Sequence, residues 1–442
     1  MTDEDLDAQA KALDREFVFH SWLAQANLDL PVTAGGSGAT VWDHAGRRML
    51  DFSSQLVNVN IGHQHPAVVA AIQEQAGTLA TIGPATANLV RGQAAQRIVD
   101  KAPDGFAKVF FTNGGADANE NAMRMARLHC AARGEGGRDT VLSTYRSYHG
   151  NTGAAIVATG DWRRMPNQYA RGHAHFFGPY LYRSEFWATT PEEESARALH
   201  HLERVIQSEG PATIAAILLE SVPGTAGILL PPPGYLAGVR ELCDRYGIIL
   251  ILDEVMAGFG RTGRWFAFEG YDVVPDLITF AKGVNSGYVP VGGVIISEEI
   301  SATFDDRVFP GGLTYSGHPL AAASIIASID AMESEGIIEH ARRIGEEAIG
   351  PGLADLKQKH RHIGEVRGEG VFWAIELVAD RSTREPVSAA FIGQLKKELT
   401  DRGLVPFAAE NRIHVVPPCV VTSDEVAQAM AIYDEALTVV EA

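Results

Sequence analysis

Two apolar runs, each ending in a charged residue, organise the middle of the chain. Residues 248–252 are all Ile or Leu and are followed by Asp253, whereas residues 277–281 are mostly apolar and are followed by Lys282. A continuous apolar run of this length is typical of a strand buried on both faces of a parallel sheet. Because open α/β sheets bind ligands at the carboxyl ends of their strands, we expect Asp253 and Lys282 at one ligand-binding edge.

Apolar runs and amphipathic helices alternate on both sides of this region. Further strands are predicted at residues 108–112, 140–143, 214–220 and 292–296. Helices are predicted at residues 88–102, 192–208 and 235–246. Such alternation indicates a large three-layer α/β/α domain with a mostly parallel sheet, which we assign to residues 71–320.

The two ends of the chain show a different pattern. Residues 1–30 predict an amphipathic helix, and Asp43 and Gly46 mark a turn between β-prone runs, which is typical of a hairpin. A long helix is predicted from residue 320 through Ser334 toward Lys357, followed by strands and helices without βαβ alternation. We therefore expect a smaller α+β domain formed by both termini, residues 1–70 and 321–442.

Composition and charge exclude several classes of partner. The 442 residues include 37 Lys and Arg against 55 Asp and Glu, a formal net charge of −18, which argues against nucleic acid and anionic membranes. No apolar run approaches the length of a membrane span, and the acidic first residues do not resemble a signal peptide. The three scattered cysteines are typical of reduced thiols, so we expect a cytoplasmic protein. His63 and His65 lack a third ligand nearby, and no metal site is expected.

Two glycine-rich stretches are candidate anion sites. Residues 258–263 match the G-x-G-x-x-G pattern of dinucleotide-binding oxidoreductases, but no helix is predicted directly after the strand, as that fold requires. Residues 113–116, Asn-Gly-Gly-Ala, connect a predicted strand to a helix. Backbone N–H groups at such a helix start bind phosphate, although an ordinary turn uses the same residues.

Ten stretches in order resemble the motifs of the class III aminotransferases, which are pyridoxal 5′-phosphate (PLP) enzymes of fold type I. They are residues 51–53, 62–66, 113–120, 148–150, 220–224, 231–236, 252–255, 258–263, 281–283 and 314–319. The resemblance extends from about residue 22 to residue 418. It implies the PLP-dependent transferase fold, PLP as cofactor, and a homodimer with shared active sites, with a tetramer as the alternative assembly.

The resemblance also implies a role for each matching residue. Lys282 matches the lysine that forms an imine with the cofactor and moves the proton, and Asp253 matches the carboxylate that keeps the pyridine nitrogen protonated. The other matches are expected to bind the cofactor: Gly115 and Ala116 at its phosphate, Tyr148, His149 and Val255 around its ring, Glu220 near its phenolic edge, and Thr314 at the phosphate of the neighbouring subunit.

The expected reaction transfers an amino group from a primary amine or ω-amino acid to pyruvate or 2-oxoglutarate. The pattern is most similar to taurine:2-oxoglutarate-type enzymes, so taurine, β-alanine and 4-aminobutyrate are the expected kinds of donor. Val57 stands where many relatives have an aromatic residue, and Phe407 stands where many have an arginine that binds the acceptor. The candidate substrate residues are Trp22, Val57, Arg164 and Arg412. A surface salt bridge is the alternative for each arginine.

Other functions remain open at the level of sequence. An aminomutase, a decarboxylating transaminase or a phospho-lyase would use the same lysine and aspartate on the same scaffold. A non-catalytic PLP-fold protein is disfavoured because Lys282 and Asp253 are both present.

Overall fold

The computed structural model describes residues 2–167 and 170–442. The helices are α1 (Asp3–Phe17), α2 (Ser54–Val57), α3 (Pro66–Thr78), α4 (Leu89–Val99), α5 (Gly115–Ala132), α6 (Gly153–Ala158), α7 (Pro191–Glu209), α8 (Tyr235–Tyr246), α9 (Glu298–Ala302), α10 (Pro319–Ser334), α11 (Ile337–Ile344), α12 (Gly350–Lys359), α13 (Ala389–Asp401) and α14 (Ser423–Glu441). Within the described ranges, no helix has the length and apolar character needed to cross a membrane.

The strands form three sheets. They are β1 (Gly35–Ser37), β2 (Thr40–Trp42), β3 (Arg48–Asp51), β4 (Phe106–Thr112), β5 (Thr140–Thr144), β6 (His173–Phe176), β7 (Ile214–Glu220), β8 (Ile249–Asp253), β9 (Leu277–Phe280), β10 (Gly292–Ser297), β11 (Ile363–Glu369), β12 (Phe372–Asp380), β13 (Glu385–Pro386), β14 (Leu404–Val405), β15 (Phe407–Ala409) and β16 (Arg412–Val415).

The central sheet has the strand order β4-β10-β9-β8-β7-β5-β6. Strands β5 to β9 pair in parallel, whereas β10 is antiparallel to both of its neighbours, β9 and β4. The apolar runs predicted all of these strands except β6, whose His-Ala-His-Phe sequence lacks a continuous apolar run. The predicted mostly parallel sheet is therefore correct, with one reversed strand.

Helices cover both faces of this sheet because its strands are apolar on both sides. Alternate residues of β8 point to opposite faces. Ile249 and Ile251 belong to the cluster that includes the buried side of α5, whereas Leu250 and Leu252 belong to the cluster that includes α7 and α8. This is the expected three-layer arrangement.

The two termini share a smaller sheet. Strands β1 to β3 form the predicted hairpin structure, and β14 from the C-terminal region pairs in parallel with β3. A third sheet, with the order β11-β12-β16-β15, follows in the C-terminal part of the chain. The chain therefore has the α+β region built from both termini that the sequence predicts.

Two helix predictions were too long. Helix α1 ends at Phe17, and Trp22 has a φ of 62°, which a right-handed helix cannot continue through. The long helix predicted toward Lys357 is interrupted because Gly336 adopts the left-handed conformation, φ 62°, between α10 and α11. Both predicted helices are interrupted at or before a residue with a positive φ, and the periodicity of hydrophobic residues does not predict such backbone conformations.

Candidate active site

Three adjacent strands bring polar side chains to one point at the carboxyl edge of the central sheet. Glu220 of β7 pairs in register with Asp253 of β8, and Asp253 pairs with Thr279 of β9. By the alternation of the strands, all three side chains lie on the face covered by α5. Lys282 follows three residues after Thr279. The structure thus brings Asp253 and Lys282 to the same edge, as the apolar runs predicted.

Asp253 is held by three donors. Its Oδ2 accepts hydrogen bonds from Asn119 Nδ2 and from His149 Nδ1, both at 2.8 Å, and its Oδ1 accepts one from the Val255 N–H at 3.0 Å. Because a carboxylate can only accept a hydrogen bond, this contact requires a proton on His149 Nδ1. Because the remaining lone pair of Oδ1 is unused, Asp253 keeps capacity for one further N–H donor.

Lys282 lies in a strained and half-buried position. Its φ of 43° is unusual for a residue with a Cβ, and such strain is concentrated at functional sites. Burial lowers the pKa of the Lys282 amine to about 8, although the negative charges of Asp253 and Glu220 oppose the shift. With a pKa of about 8, roughly a tenth of this lysine is neutral at pH 7, and only the neutral amine is nucleophilic.

Glu220 is fixed by the backbone around it. Its Oε1 accepts from the Tyr148 N–H at 2.9 Å, and its Oε2 accepts from the Gly224 N–H at 2.8 Å. Burial raises the pKa of this carboxyl, and Asp253 adds to the shift. Glu220 therefore holds the Tyr148 segment and the loop after β7 in place at the edge of the site.

The start of α5 forms a narrow cradle. No side chain caps this 18-residue helix, since Gly114 occupies its N-cap. A Cβ placed on Gly115 would lie 2.7 Å from Val255 Cγ1, and one placed on Gly150 would lie 2.5 Å from the Cβ of Ala116. The helix start, with its unpaired N–H groups and positive dipole end, is thus packed directly against Val255.

Tyr148 lies between the site and a cluster of charged residues. The Arg163 guanidinium stacks 4.0 Å from the centre of the Tyr148 ring and forms a bidentate ion pair with Asp161. Burial raises the pKa of the Tyr148 hydroxyl. One face of Tyr148 is therefore occupied by Arg163, which leaves the other face for a ligand.

The predicted substrate residues lie in different surroundings. Val57 is buried in an apolar cluster that Phe407 packs against, and its φ of 58° is strained for a β-branched residue. Val57 is therefore packed within an apolar wall and does not line an open pocket. Trp22 is 61% exposed, and Thr314 is also exposed, so neither is enclosed within one chain.

The two candidate arginines contact different segments of the chain. Arg164 is positioned over the Tyr145 ring, 5.3 Å from its centre. Arg412 lies against Gly227, in the loop whose Gly224 holds Glu220, because a Cβ on Gly227 would be 2.5 Å from Arg412 Cδ. The Arg412 Nε is buried and has no hydrogen-bond partner among the described residues, while its Nη2 donates to Glu410 at 2.6 Å.

These residues fit PLP by their chemistry. The uncapped start of α5 suits a phosphate, Asp253 has an acceptor position for a protonated pyridine nitrogen, and Lys282 offers a partly neutral amine to an aldehyde. The fit depends on groups at the end of β8, just after β9 and at the start of α5, which are distant in the sequence.

Sequence reasoning missed two residues of this site. Asn119, which contacts Asp253, stands inside a recognised stretch, but a polar residue in the first turns of a helix gives no distinct signal. Arg163 was similarly indistinct beside Arg164. Only the spatial proximity of Arg163 to Tyr148 distinguishes it.

Comparisons with known proteins agree with this chemistry. The model of the aminotransferase class-III family matches residues 24–437. The chain is 31% identical to a taurine–pyruvate aminotransferase of Bilophila wadsworthia, over 98% of each chain. It is 34% identical to a putrescine–pyruvate aminotransferase of Pseudomonas aeruginosa, over 88% of this chain and 86% of that protein. The solved structure of a taurine:2-oxoglutarate aminotransferase from Bifidobacterium kashiwanohense, in complex with PLP and glutamate, matches with a TM-score of 0.94 and 40% identity, over 100% of this chain and 98% of the other.

Proposed function

Because the chain belongs to the class III aminotransferases and is a PLP-dependent transaminase, we propose that Lys282 and Asp253 are its catalytic residues. The family match confirms the resemblance, the fold class, the cofactor and the amine-to-oxo-acid reaction expected from the sequence. The proposal concerns which residues perform this reaction and on which substrates. Its main support is the alignment of Glu220, Asp253 and Thr279 beside Lys282.

Bound PLP supplies an aldehyde that takes up the amino group and a pyridinium ring that accepts electrons. In the proposed mechanism, Lys282 Nζ takes a proton from the substrate carbon that bears the amino group and later returns a proton. The lowered pKa suits this role, because a general base is most effective when its pKa is near the working pH. Asp253, through Oδ1, would hold the cofactor by accepting a hydrogen bond from its protonated ring nitrogen.

The remaining cofactor contacts follow from the cradle. We assign the phosphate to the N–H groups of Gly115 and Ala116, supported by the dipole of α5. Tyr148 and Val255 would contact opposite faces of the ring. His149 supports the site through its bond to Asp253.

The proposed assembly is a homodimer that shares its active sites, in which Thr314 reaches the phosphate of the neighbouring subunit. Large apolar side chains are exposed on the single chain at Leu56, Leu89, Val308 and Tyr315, with exposed fractions from 48% to 88%. Exposed apolar surface of this kind favours contact with another protein surface. Trp22 is exposed as well, so its proposed substrate contact also depends on the dimer. A tetramer would be a pair of such dimers.

We further propose a cytoplasmic enzyme that uses amines such as taurine, β-alanine, 4-aminobutyrate or putrescine with pyruvate or 2-oxoglutarate. The named activities of the taurine–pyruvate and putrescine–pyruvate relatives support this range. Burial of Cys130, Cys243 and Cys419 as free thiols is consistent with a reducing compartment.

The substrate anion needs a cation in this acidic protein. We prefer Arg412 over Arg164, because the buried Nε of Arg412 has no hydrogen-bond partner among the described residues and would gain one from a carboxylate or sulfonate. Val57 would form the apolar wall opposite, where its closed packing restricts the space for the donor.

The function is tested with a donor–acceptor matrix. Taurine, β-alanine, 4-aminobutyrate, putrescine and an aryl amine are each combined with pyruvate and 2-oxoglutarate, and alanine or glutamate is quantified. We expect turnover with at least one donor, and none in Lys282→Ala. Lys396→Ala, an exposed lysine on α13, is the matched control. Turnover that persists in Lys282→Ala would contradict the assignment.

A further inference from the structure

Asn119 makes an unusual set of contacts beneath the candidate site. It lies one turn into α5 and is buried. Its Nδ2 donates to Asp253 Oδ2 at 2.8 Å and to the carbonyl of His149 at 2.9 Å, and its Oδ1 accepts from Thr279 Oγ1 at 2.8 Å. Every hydrogen-bonding group of the side-chain amide except one lone pair of Oδ1 is thus in use.

The chemistry of the partners fixes the orientation of this amide. A carboxylate and a carbonyl can only accept hydrogen bonds, so the NH₂ group must face Asp253 and His149. The oxygen then faces Thr279, whose hydroxyl must donate. Thr279 therefore stabilises the orientation that the two acceptors impose on Asn119.

These contacts connect the parts of the site. Asn119 stands on the helix whose first turn forms the cradle at Gly115, and it bonds to Asp253 at the end of β8. Through the His149 carbonyl it also holds the segment that carries Tyr148. One buried side chain thus links α5 directly to Asp253.

We propose that Asn119, supported by the Thr279 hydroxyl, is a positioning residue that holds Asp253 and the start of α5 in the spacing that PLP requires. This inference rests on the proposed role of Asp253. A carboxylate loses both stabilisation and direction when one of its donors is removed. The loss of Asn119 would therefore weaken cofactor binding and alter the environment of the ring nitrogen, even though Asn119 itself touches neither.

The test uses purified holoenzyme with two readouts other than turnover. One is the dissociation constant of PLP by equilibrium titration, and the other is the pH midpoint of the visible absorbance of the bound cofactor. We expect Asn119→Ala to raise the dissociation constant of PLP about tenfold or more, because this is the effect of losing one hydrogen bond to a charged group. We also expect it to move the pH midpoint of the absorbance. Asn121→Ala is the matched control, because Asn121 lies on the same helix and donates to the Asp117 carbonyl rather than to Asp253.

A second pair of variants keeps the test decisive if Asn119→Ala fails to fold. Thr279→Val removes the hydroxyl that donates to Asn119 Oδ1 but keeps the shape of the side chain, whereas Thr279→Ser keeps the hydroxyl. We expect a weaker form of both effects in Thr279→Val and near wild-type behaviour in Thr279→Ser.

The outcomes separate this inference from the proposed function. If Asn119→Ala lowers only the Tm and matches Asn121→Ala in both readouts, or if Thr279→Val matches Thr279→Ser, the positioning role is wrong. Asp253→Ala is measured in parallel. If that variant also leaves both readouts unchanged, the assignment of Asp253 itself fails, whereas a strong effect there alone refutes only the role of Asn119.

Discussion

The contact between Gly115 and Val255 gives a quantitative test of the phosphate cradle. In Gly115→Ala the new methyl group would lie 2.7 Å from Val255 Cγ1 and 3.0 Å from Cγ2, well inside the roughly 3.5–4.0 Å of an ordinary carbon contact. Gly115 has no left-handed φ, so its backbone accepts alanine. The whole perturbation therefore falls on the packing of Val255 against the helix start.

The expected magnitude follows from this overlap. Overpacking by a methyl group costs about 1–3 kcal/mol, and since roughly 1.4 kcal/mol is a factor of ten, the affinity for PLP should fall about 5- to 150-fold. Both groups that must move, the first turn of α5 and Val255, are proposed cofactor contacts. The dissociation constant is measured by titrating the cofactor-free protein with PLP.

A double variant isolates the cause. Val255→Ala removes both colliding carbon atoms, so Gly115→Ala combined with Val255→Ala should bind PLP more tightly than Gly115→Ala alone. Gly77→Ala on α3 is the control, because a Cβ there meets no atom within 4 Å. Unchanged affinity in Gly115→Ala, or strictly additive losses in the double variant, would refute the cradle.

Three further predictions follow from the site and its supports. The rate at which cofactor-free protein takes up PLP should rise with pH and level off above about 8. The reason is that burial lowers the pKa of Lys282, and only its neutral amine attacks an aldehyde. A rate that continues to rise toward pH 10.5 would contradict this. Arg412→Ala should raise the KM for the oxo-acid acceptor about tenfold or more, whereas Arg412→Lys should raise it less. An unchanged KM in both variants would exclude Arg412 as the residue that binds the acceptor. His360→Ala should lower the free energy of unfolding by about 1.5–3 kcal/mol, because the buried His360 ring bonds Asp434 at 2.7 Å and Glu441 at 3.1 Å. The measurement should show a lower Tm with kcat retained. An unchanged Tm would show that these hydrogen bonds do not stabilise the fold.

The sequence predicted the parts of the fold that apolar patterning determines. The runs before Asp253 and Lys282 identified β8 and β9 because buried strands need apolar residues on both faces. The reversal of β10 could not be predicted in this way, since an apolar run has the same pattern in either direction. Strand β6 was missed because its histidines interrupt the apolar run.

The candidate site was predicted as far as its residues resemble known motifs. The pairing of Asp253 with Asn119 joins residues 134 positions apart, and only the register of the strands and the placement of α5 bring them together. The neighbourhood of Val57 was likewise unpredictable, because its burial depends on its strained backbone and on packing against distant segments.

The reversed strand β10 has a consequence for how the protein folds. It pairs Gly292 with Thr112, and the chain leads directly from Thr112 into the turn that begins α5. Bringing these segments together closes a loop of roughly 180 residues, and long-range pairings of this kind form slowly. On the ribosome, β4 therefore remains without its sheet neighbour until most of the chain has been synthesised. Cofactor added during refolding should accordingly be captured in the last kinetic phase rather than in the first.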